Sequence, residues 1–189
     1  MAVHERPILV IGDKNYSSWS MRAWLALTAA GIDFEEMHVK LRTEETRATI
    51  LRHSPSGTVP ALKLGAVVIP ESLAICEWAA EQSRSGPLLP EDGVARAVCR
   101  AVSAEMHSGF ATLRKECPME VLAVHIGHPM SDACRIDIAR IEAVAGRPVP
   151  RDKIAVFADQ GWVNFDGATL SLTPSGRLLA DAITAQLVP

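Results

Sequence analysis

The sequence predicts an α/β domain at the N-terminus, followed by a helical domain and a small α+β tail. Three observations support this prediction. Short aliphatic runs alternate with helical patterns over residues 1–83, and one long helical pattern begins at residue 94. Near the end, two segments of alternating polarity flank Asp166-Gly167, a dipeptide typical of hairpin turns. The predicted division is a domain at 1–83, a linker at 84–93, a helical domain at 94–146 and a tail at 147–189.

The first domain is predicted to contain a sheet with helices packed on it. The aliphatic run at 8–11 indicates a buried strand, which ends at Gly12-Asp13. The next helix, from Ser18 or Ser20 to Gly31, is predicted to bury one face made of Met21, Trp24, Leu25, Leu27 and Thr28. The later elements are a strand at 34–39, a partly helical segment at 40–53, a hairpin at 59–64 and 67–69, and a helix at 72–81 with Ser72 as N-cap. This order is the thioredoxin-like layout with an antiparallel hairpin at its end.

The helical domain is predicted to contain a long first helix. One continuous helix is expected over 94–116, because apolar residues recur at helical spacing and Cys117-Pro118 ends the pattern. Its predicted buried face consists of Val94, Val98, Ala101, Val102, Glu105, Met106, Phe110 and Leu113. A second helix is predicted at 132–144, before Gly146.

The tail has the pattern of a helix, a hairpin and a second helix. The first helix is predicted at 151–160 and the hairpin at 162–172. The last helix is predicted to start with Thr173 as N-cap and Pro174 at its first position. This arrangement is winged-helix-like. Basic and acidic residues balance in the tail, which disfavours nucleic-acid binding, since phosphate binding normally needs a basic face.

Composition excludes several function classes. The net charge of −3 gives no long-range attraction to nucleic acid or to anionic membranes. No apolar run is long enough to span a bilayer, and the start lacks the order of a signal peptide, so a cytoplasmic location without membrane association is expected. The four cysteines form no CxxC pair, and with His125 and His128 they match no standard metal spacing, so no metal is expected.

Three polar motifs stand at element boundaries of the first domain. A serine pair, Ser17-Ser18, follows the first strand and precedes a helix. Val59-Pro60 precedes a later strand, and Glu71-Ser72 starts a helix. Each motif has an ordinary structural reading, since serine and glutamate cap helices and proline is common at strand edges.

Together these motifs resemble the N-terminal domain of glutathione transferases, in the serine-type, zeta-like branch. The resemblance implies that glutathione is bound as a co-substrate. Its thiol would be bound by Ser17, assisted by Ser18. The cis-proline segment would pair with the glutathione backbone, and the helix start would bind the γ-glutamyl group. The glutathione-binding residues are then Ser17, Thr58, Val59, Pro60, Glu71 and Ser72.

The same resemblance implies an enzyme that activates the glutathione thiol for attack on a small electrophile, or for a related isomerisation or peroxide reduction. Trp19 and His107 would line the electrophile pocket, although a core tryptophan and an ordinary helix histidine are alternative readings. A role in detoxification and a possible homodimer are further expectations. The alternative is a glutathione-fold protein without catalysis, used for binding or regulation.

The tail resembles the C-terminal end of radical-SAM coproporphyrinogen-dehydrogenase-like proteins, through the segment from Gly161 to Leu187. The cluster-binding cysteine motif of that family is absent, so its chemistry is not carried over. A complete transferase has a longer helical domain, so the helical part is expected to be truncated. The sequence therefore predicts a chimeric chain, with a transferase front and a winged-helix-like interaction tail.

Overall fold

A computed structural model describes residues 6–123, 125, 127–145, 156, 158–159, 161, 163–165 and 170–172. The chain forms two compact units, Met1–Ala123 and Val124–Pro189, each described by itself below. The domain boundaries predicted from the sequence stay predictions.

The first unit contains a four-stranded mixed sheet with the order β2-β1-β3-β4. Strand β1 is parallel to β2 and antiparallel to β3, and β3 is antiparallel to β4. This topology confirms the predicted thioredoxin-like layout. The elements are β1 (Ile8–Ile11), α1 (Ser18–Ala29), β2 (Glu35–His38), α2 (Thr46–Leu51), β3 (Ala61–Leu64), β4 (Val67–Ile69), α3 (Ser72–Glu81), α4 (Gly93–Ser108) and α5 (Ala111–Glu116).

Strand β1 is a continuous aliphatic run because both of its faces are covered. Leu9 and Ile11 belong to one buried cluster, with residues of α1 and α3, whereas Val10 belongs to another, with Val39 and Ile50. Alternate side chains of a strand point to opposite faces, so one strand serves both clusters. The sheet is therefore fixed at its centre, and the loop that follows β1 starts from a rigid position.

The buried face of α1 differs from the predicted one. Ser20, Ala23 and Leu27 are the buried residues of the helix, whereas Leu25 and Thr28 are exposed. Small residues occupy this face because α1 packs on α3, and Ala23 lies in the same cluster as Ala79. The prediction was therefore right for Leu27, which is buried, and wrong for Leu25 and Thr28, because it followed residue size. The helix ends as predicted, with Gly31 in the left-handed conformation at φ 66°.

The predicted long helix is broken into α4 and α5. The break lies at Gly109-Phe110, where Phe110 adopts a left-handed conformation with φ 61°. A Cβ atom on Gly109 would lie 2.8 Å from the Glu105 carbonyl oxygen, so only glycine fits there. The predicted apolar face of α4 is also not buried, since Val94 is 74% exposed and none of the residues of this fully described helix is buried.

The second unit contains α6 (Asp132–Ala145), as predicted, and a two-stranded antiparallel sheet of β5 (Val163–Phe165) and β6 (Leu170–Leu172). The hairpin's predicted turn at Asp166-Gly167, most of the helix at 151–160 and the helix after Thr173 lie outside the described residues. The winged-helix-like arrangement therefore stays a prediction.

The part of the chain that the structure describes shows neither a membrane-spanning helix nor a metal-binding cluster. No helix in that part is both long and apolar enough to cross a membrane. No group of three or more acidic, histidine or cysteine side chains in it is placed to hold a metal ion. The four cysteines are free thiols, with Cys134 buried.

Candidate functional site

A cavity of about 260 Å³ lies in the first unit, beside the N-terminus of α3. It brings together residues that are far apart in the sequence. Its lining consists of Trp19, Thr58, Val59, Pro60, Pro70, Glu71 and Ser72. All three polar motifs of the sequence thus meet at or beside this cavity, although the serine pair itself is not part of the lining.

The wall formed by the segment before β3 has an unusual backbone. The Val59-Pro60 peptide bond is cis, as the resemblance implied. Cis bonds are essentially confined to proline. A chain of hydroxyl contacts orders the loop before it: Ser56 Oγ lies 2.9 Å from Ser54 Oγ and 2.7 Å from Thr58 Oγ1. The loop therefore holds Thr58 and Val59 in place at the cavity.

Glu71, rather than the predicted Ser72, is the N-cap of α3. Its backbone is extended, and its Oε2 atom accepts a hydrogen bond of 2.9 Å from the Ala74 amide. The Ser72 hydroxyl donates to Glu71 Oε1 over 3.1 Å, and Ser72 is buried. The Glu71 carboxylate, just before the helix, reaches the amide of the third helical residue, Ala74. The hydroxyl of Ser72, the first helical residue, reaches that amide less easily, which explains the difference from the prediction.

The surroundings of the Glu71 carboxyl act on its pKa in opposite directions. Burial acts to raise its pKa, but it is outweighed by hydrogen bonds from the Ala74 and Leu73 amides and the Ser72 hydroxyl, and by the charge of His107. The net result is a pKa below the usual glutamate range. These contacts therefore favour the charged form of a carboxyl that lines the cavity at the start of α3.

Trp19 also lines the cavity and is surrounded by basic side chains. The Arg22 and Arg114 guanidinium carbons lie 4.5 and 4.9 Å from the centroid of its ring. The His107 ring meets it edge to face, with the centroids 5.2 Å apart. Such cation–π and edge contacts fix the orientation of an indole.

His107 reaches the cavity only through its neighbours. It is not part of the lining, but its Nε2 atom lies 3.5 Å from Glu71 Oε1. Its Nδ1 atom is buried without a hydrogen-bond partner within the described residues. The predicted pocket pair Trp19 and His107 are thus in contact, and their role as substrate-pocket residues stays a prediction.

Sequence reasoning missed the two arginines. Arg22 is half-buried, and its pKa is lowered, first by burial and then by the nearby charge of Arg114. Arg114 donates hydrogen bonds to the Met106 and Gly109 carbonyl oxygens and so closes the end of α4. Trp19 and Arg22 are three residues apart on one helix, and this spacing could have predicted the contact between their side chains. No local signal placed Arg114, because its position depends on the break between α4 and α5.

The Ser17 hydroxyl is occupied by the protein itself. Ser17 is the N-cap of α1 and is 8% exposed. Its Oγ atom donates to Ser20 Oγ over 2.9 Å and accepts from the Ser20 amide over 3.4 Å. Ser18 begins α1 and is half-buried. The roles predicted for both serines toward a bound thiol stay predictions.

The sheet order, the cis-proline edge and the capped start of α3 define a thioredoxin-like domain with a ligand cavity. Comparison with known proteins specifies this domain further: residues 16–82 match the sequence model of the glutathione S-transferase N-terminal domain. This part of the chain is therefore similar to that domain, as the sequence resemblance implied.

Curated relatives agree with this assignment. The chain is 33% identical over 119 residues to a probable maleylacetoacetate isomerase of Caenorhabditis elegans, covering 63% of this chain and 55% of that protein. It is 37% identical over 102 residues to glutathione S-transferase Z2 of Arabidopsis thaliana, covering 51% and 46%. With a maleylpyruvate isomerase of Ralstonia sp it shares 38% identity over 96 residues, covering 48% and 45%. The chain spans about half the length of the curated relatives that it matches.

Solved structures show the same fold. A glutathione transferase homolog from Burkholderia GL BGR1, solved with bound glutathione, has a TM-score of 0.57 at 24% identity. The similarity covers 81% of this chain and 73% of that one. At this level of identity the likeness concerns the fold alone.

Proposed function

We propose that this chain binds glutathione and uses its thiol in a transferase or isomerase reaction. The observation that carries the proposal is one cavity lined by both the cis Val59-Pro60 segment and the Glu71-Ser72 helix start. Glutathione is an extended peptide with an ammonium and a carboxylate at one end and a thiol in the middle. A strand edge offers it main-chain hydrogen bonds, and an ionised carboxylate offers its ammonium a counter-charge.

In this proposal the γ-glutamyl group binds at the start of α3. The Glu71 carboxylate accepts hydrogen bonds from its ammonium. Ser72, at the start of α3, receives its carboxylate, since helix N-termini favour anions. The glutathione backbone pairs with Val59, and Thr58 and Pro60 shape the same wall.

The thiol is directed to the N-terminus of α1, where Ser17 and Ser18 stand. A hydroxyl that donates a hydrogen bond to the thiolate lowers the thiol pKa, and the helix dipole adds to this effect. A larger thiolate fraction at neutral pH means a faster attack on an electrophile held nearby. The reaction needs no metal in this scheme, and the cavity wall formed by Trp19, backed by His107, would hold the electrophile.

Glutathione binding is tested by calorimetry with two matched variants. Glu71→Gln keeps the shape of the side chain and removes its charge, whereas Glu81→Gln makes the same change at an exposed position at the other end of α3. Loss of one charged hydrogen bond predicts about tenfold weaker binding for Glu71→Gln. Glu81→Gln is expected to bind like the parent. Equal binding by all three proteins would refute this site.

The reaction class is tested by a mass balance. A transferase consumes one glutathione for each product molecule, whereas an isomerase regenerates it. Two of the relatives reported above are named as isomerases and one as a transferase, so both substrate types are assayed. The electrophile is a small molecule of unspecified identity in either case.

A second candidate is a glutathione-binding protein without catalysis. It is supported by the exposed face of α4, which offers less wall for a second substrate. Glutathione binding with an unchanged thiol pKa and no turnover would favour this candidate. The winged-helix-like tail would then be an interaction module joined to the glutathione site, in line with the likeness to radical-SAM proteins and the chimeric origin inferred from it. A homodimer, a cytoplasmic location and a detoxification role belong to the first proposal.

A further inference from the structure

We infer that Arg114 positions the cavity wall formed by Trp19 and so determines how well a group attached to the glutathione sulfur fits against it. This inference rests on the proposed glutathione site and concerns the second substrate. Arg114 does not line the cavity itself. It acts through Trp19, which makes it a positioning residue and not a catalytic one.

The first argument is that Arg114 reaches Trp19 from a distant part of the chain. The Arg114 guanidinium carbon lies 4.9 Å from the centroid of the Trp19 ring. Trp19 lies in the first turn of α1, whereas Arg114 belongs to α5. Arg22, the other guanidinium at this ring, is one turn further along α1 and so belongs to the same helix as Trp19. Arg114 therefore joins the cavity wall to the helices that follow the sheet domain.

The second argument is that the end of α4 fixes the Arg114 guanidinium. Its Nε atom donates to the Gly109 carbonyl oxygen over 3.1 Å, and its Nη2 atom donates to the Met106 carbonyl oxygen. The C-terminal carbonyl groups of a helix need partners from outside the helix, and the helix dipole favours a cation there. A guanidinium donates as a rigid planar fork, so two fixed acceptors determine how it lies against the indole.

The break between α4 and α5 makes these two contacts possible. In an unbroken helix the Met106 carbonyl would accept the Phe110 amide. Here Phe110 is left-handed, with φ 61°, and the Arg114 side chain takes that carbonyl. A Cβ atom on Gly109 would lie 2.8 Å from the Glu105 carbonyl oxygen, so the break needs its glycine. The position of Trp19 thus depends on the backbone at the end of α4.

The test compares the binding of S-methylglutathione and S-hexylglutathione by calorimetry. In the parent the hexyl chain is expected to pack on Trp19, so S-hexylglutathione should bind at least about tenfold more tightly than S-methylglutathione. Arg114→Gln removes the fork and its charge, and this preference should fall to about threefold or less. Its affinity for unmodified glutathione should stay near the parent value, because the contacts proposed for Glu71 and Ser72 remain.

Two further variants separate positioning from charge. Lysine keeps the charge but cannot donate to two carbonyl groups as a planar fork, so Arg114→Lys should also lose the preference for the hexyl chain. Lys115→Gln removes the charge of an exposed neighbour on α5 and should keep the parent preference.

Fluorine NMR of the chain labelled with fluorotryptophan follows Trp19 directly. Its resonance is identified as the one that is missing in Trp19→Phe. This resonance should shift or broaden in Arg114→Gln and Arg114→Lys, whereas the resonances of the other tryptophans should stay in place. In the parent, S-hexylglutathione should move the Trp19 resonance further than S-methylglutathione does.

The outcomes distinguish this inference from the proposed function. If the parent binds glutathione but shows no preference for the hexyl chain, or if Arg114→Gln or Arg114→Lys keeps that preference, the inference alone is overturned. The same holds if Lys115→Gln loses the preference. If Arg114→Gln does not fold, Arg114→Lys and the Trp19 resonance of the parent decide, and a resonance that S-hexylglutathione leaves in place overturns the inference. If the parent chain binds neither glutathione nor either derivative, the proposed function fails and the inference fails with it.

Discussion

His107 Nε2 lies 3.5 Å from Glu71 Oε1, which links α4 to the capped start of α3. The same imidazole meets the Trp19 ring edge to face. One side chain thus contacts two residues that line the cavity, Glu71 and Trp19. The charge of His107 also contributes to the lowered pKa of Glu71.

This contact predicts a pH effect in His107→Gln. Without the His107 side chain, the Glu71 pKa should rise toward its usual value. As the pH falls, the carboxyl is then protonated earlier, and glutathione affinity should decline at a higher pH than in the parent. Near neutral pH the loss should be at most about fivefold, since partly exposed charge pairs contribute roughly 1 kcal/mol or less.

Calorimetry over a pH series measures this shift. His125→Gln, at an exposed histidine of the second unit, is the matched control and should follow the parent curve. Identical pH profiles for parent and His107→Gln would show that the histidine does not act on Glu71.

A second carboxylate, Glu36, is expected to stabilise the fold in a pH-dependent way. It accepts hydrogen bonds from Lys14, Trp24 and His38, and so joins β2 to α1 and to the loop before it. Burial acts to raise its pKa, but these hydrogen bonds and the Lys14 charge outweigh burial and lower it. A carboxyl whose pKa is depressed in the folded state stabilises the protein above its unfolded-state pKa, and the contribution is lost as the pH falls through the folded-state value.

Glu36→Gln should therefore reduce the free energy of unfolding by about 1–2 kcal/mol at neutral pH and by much less at about pH 3. Urea unfolding at both pH values checks this. The exposed neighbour Glu35→Gln is the control, with little change at either pH. A loss for Glu36→Gln that is as large in acid as at neutral pH would mean that shape, and not charge, is responsible.

The junction between β1 and α1 is expected to be sensitive at Ser20. Ser20→Ala removes the acceptor of the Gly12 amide and leaves that buried N–H without a partner. The expected loss is about 1–3 kcal/mol in the free energy of unfolding. Ser18→Ala, in the same segment but without such a partner, should lose less than about 0.5 kcal/mol. Chemical denaturation compares the two variants. Equal losses in the free energy of unfolding would show that the hydrogen bond from the Gly12 amide to Ser20 does not stabilise the fold.

Asn15 holds the segment after α5 through two different atoms. Its carbonyl oxygen accepts the Val121 amide at 3.0 Å, and its Oδ1 atom accepts the Leu122 amide at 2.7 Å. Asn15→Ala removes only the second acceptor. In hydrogen exchange, the Leu122 amide should therefore exchange about fivefold faster, whereas Val121 changes little. Equal acceleration of both amides would indicate that the whole segment detaches.

The sheet and the cavity motifs were predictable because local patterns encode them. An aliphatic run such as 8–11 has few alternatives to a buried strand. The cis Val59-Pro60 bond was expected only from the family resemblance, because a proline permits a cis bond without requiring it. The face of α1 was not predictable from residue size, because close packing against α3 selects Ser20 and Ala23. The sequence of a helix alone does not show how closely the neighbouring helix packs against it.

The finer features of the site depend on tertiary contacts. The break at Gly109-Phe110 lets Arg114 turn back to the end of α4 and pack against Trp19. Apolar periodicity alone predicted one unbroken helix there. Likewise, the sequence places two serines side by side, but only the contact with Ser20 distinguishes Ser17 from Ser18.

The most direct test of the central claim is a calorimetric titration of the parent chain with glutathione, compared with cysteinylglycine. The second peptide retains the thiol and lacks the γ-glutamyl group. If Glu71 and Ser72 receive that group, glutathione should bind saturably and at least about tenfold more tightly than cysteinylglycine. Absence of glutathione binding, or equal affinity for the two peptides, would contradict the account.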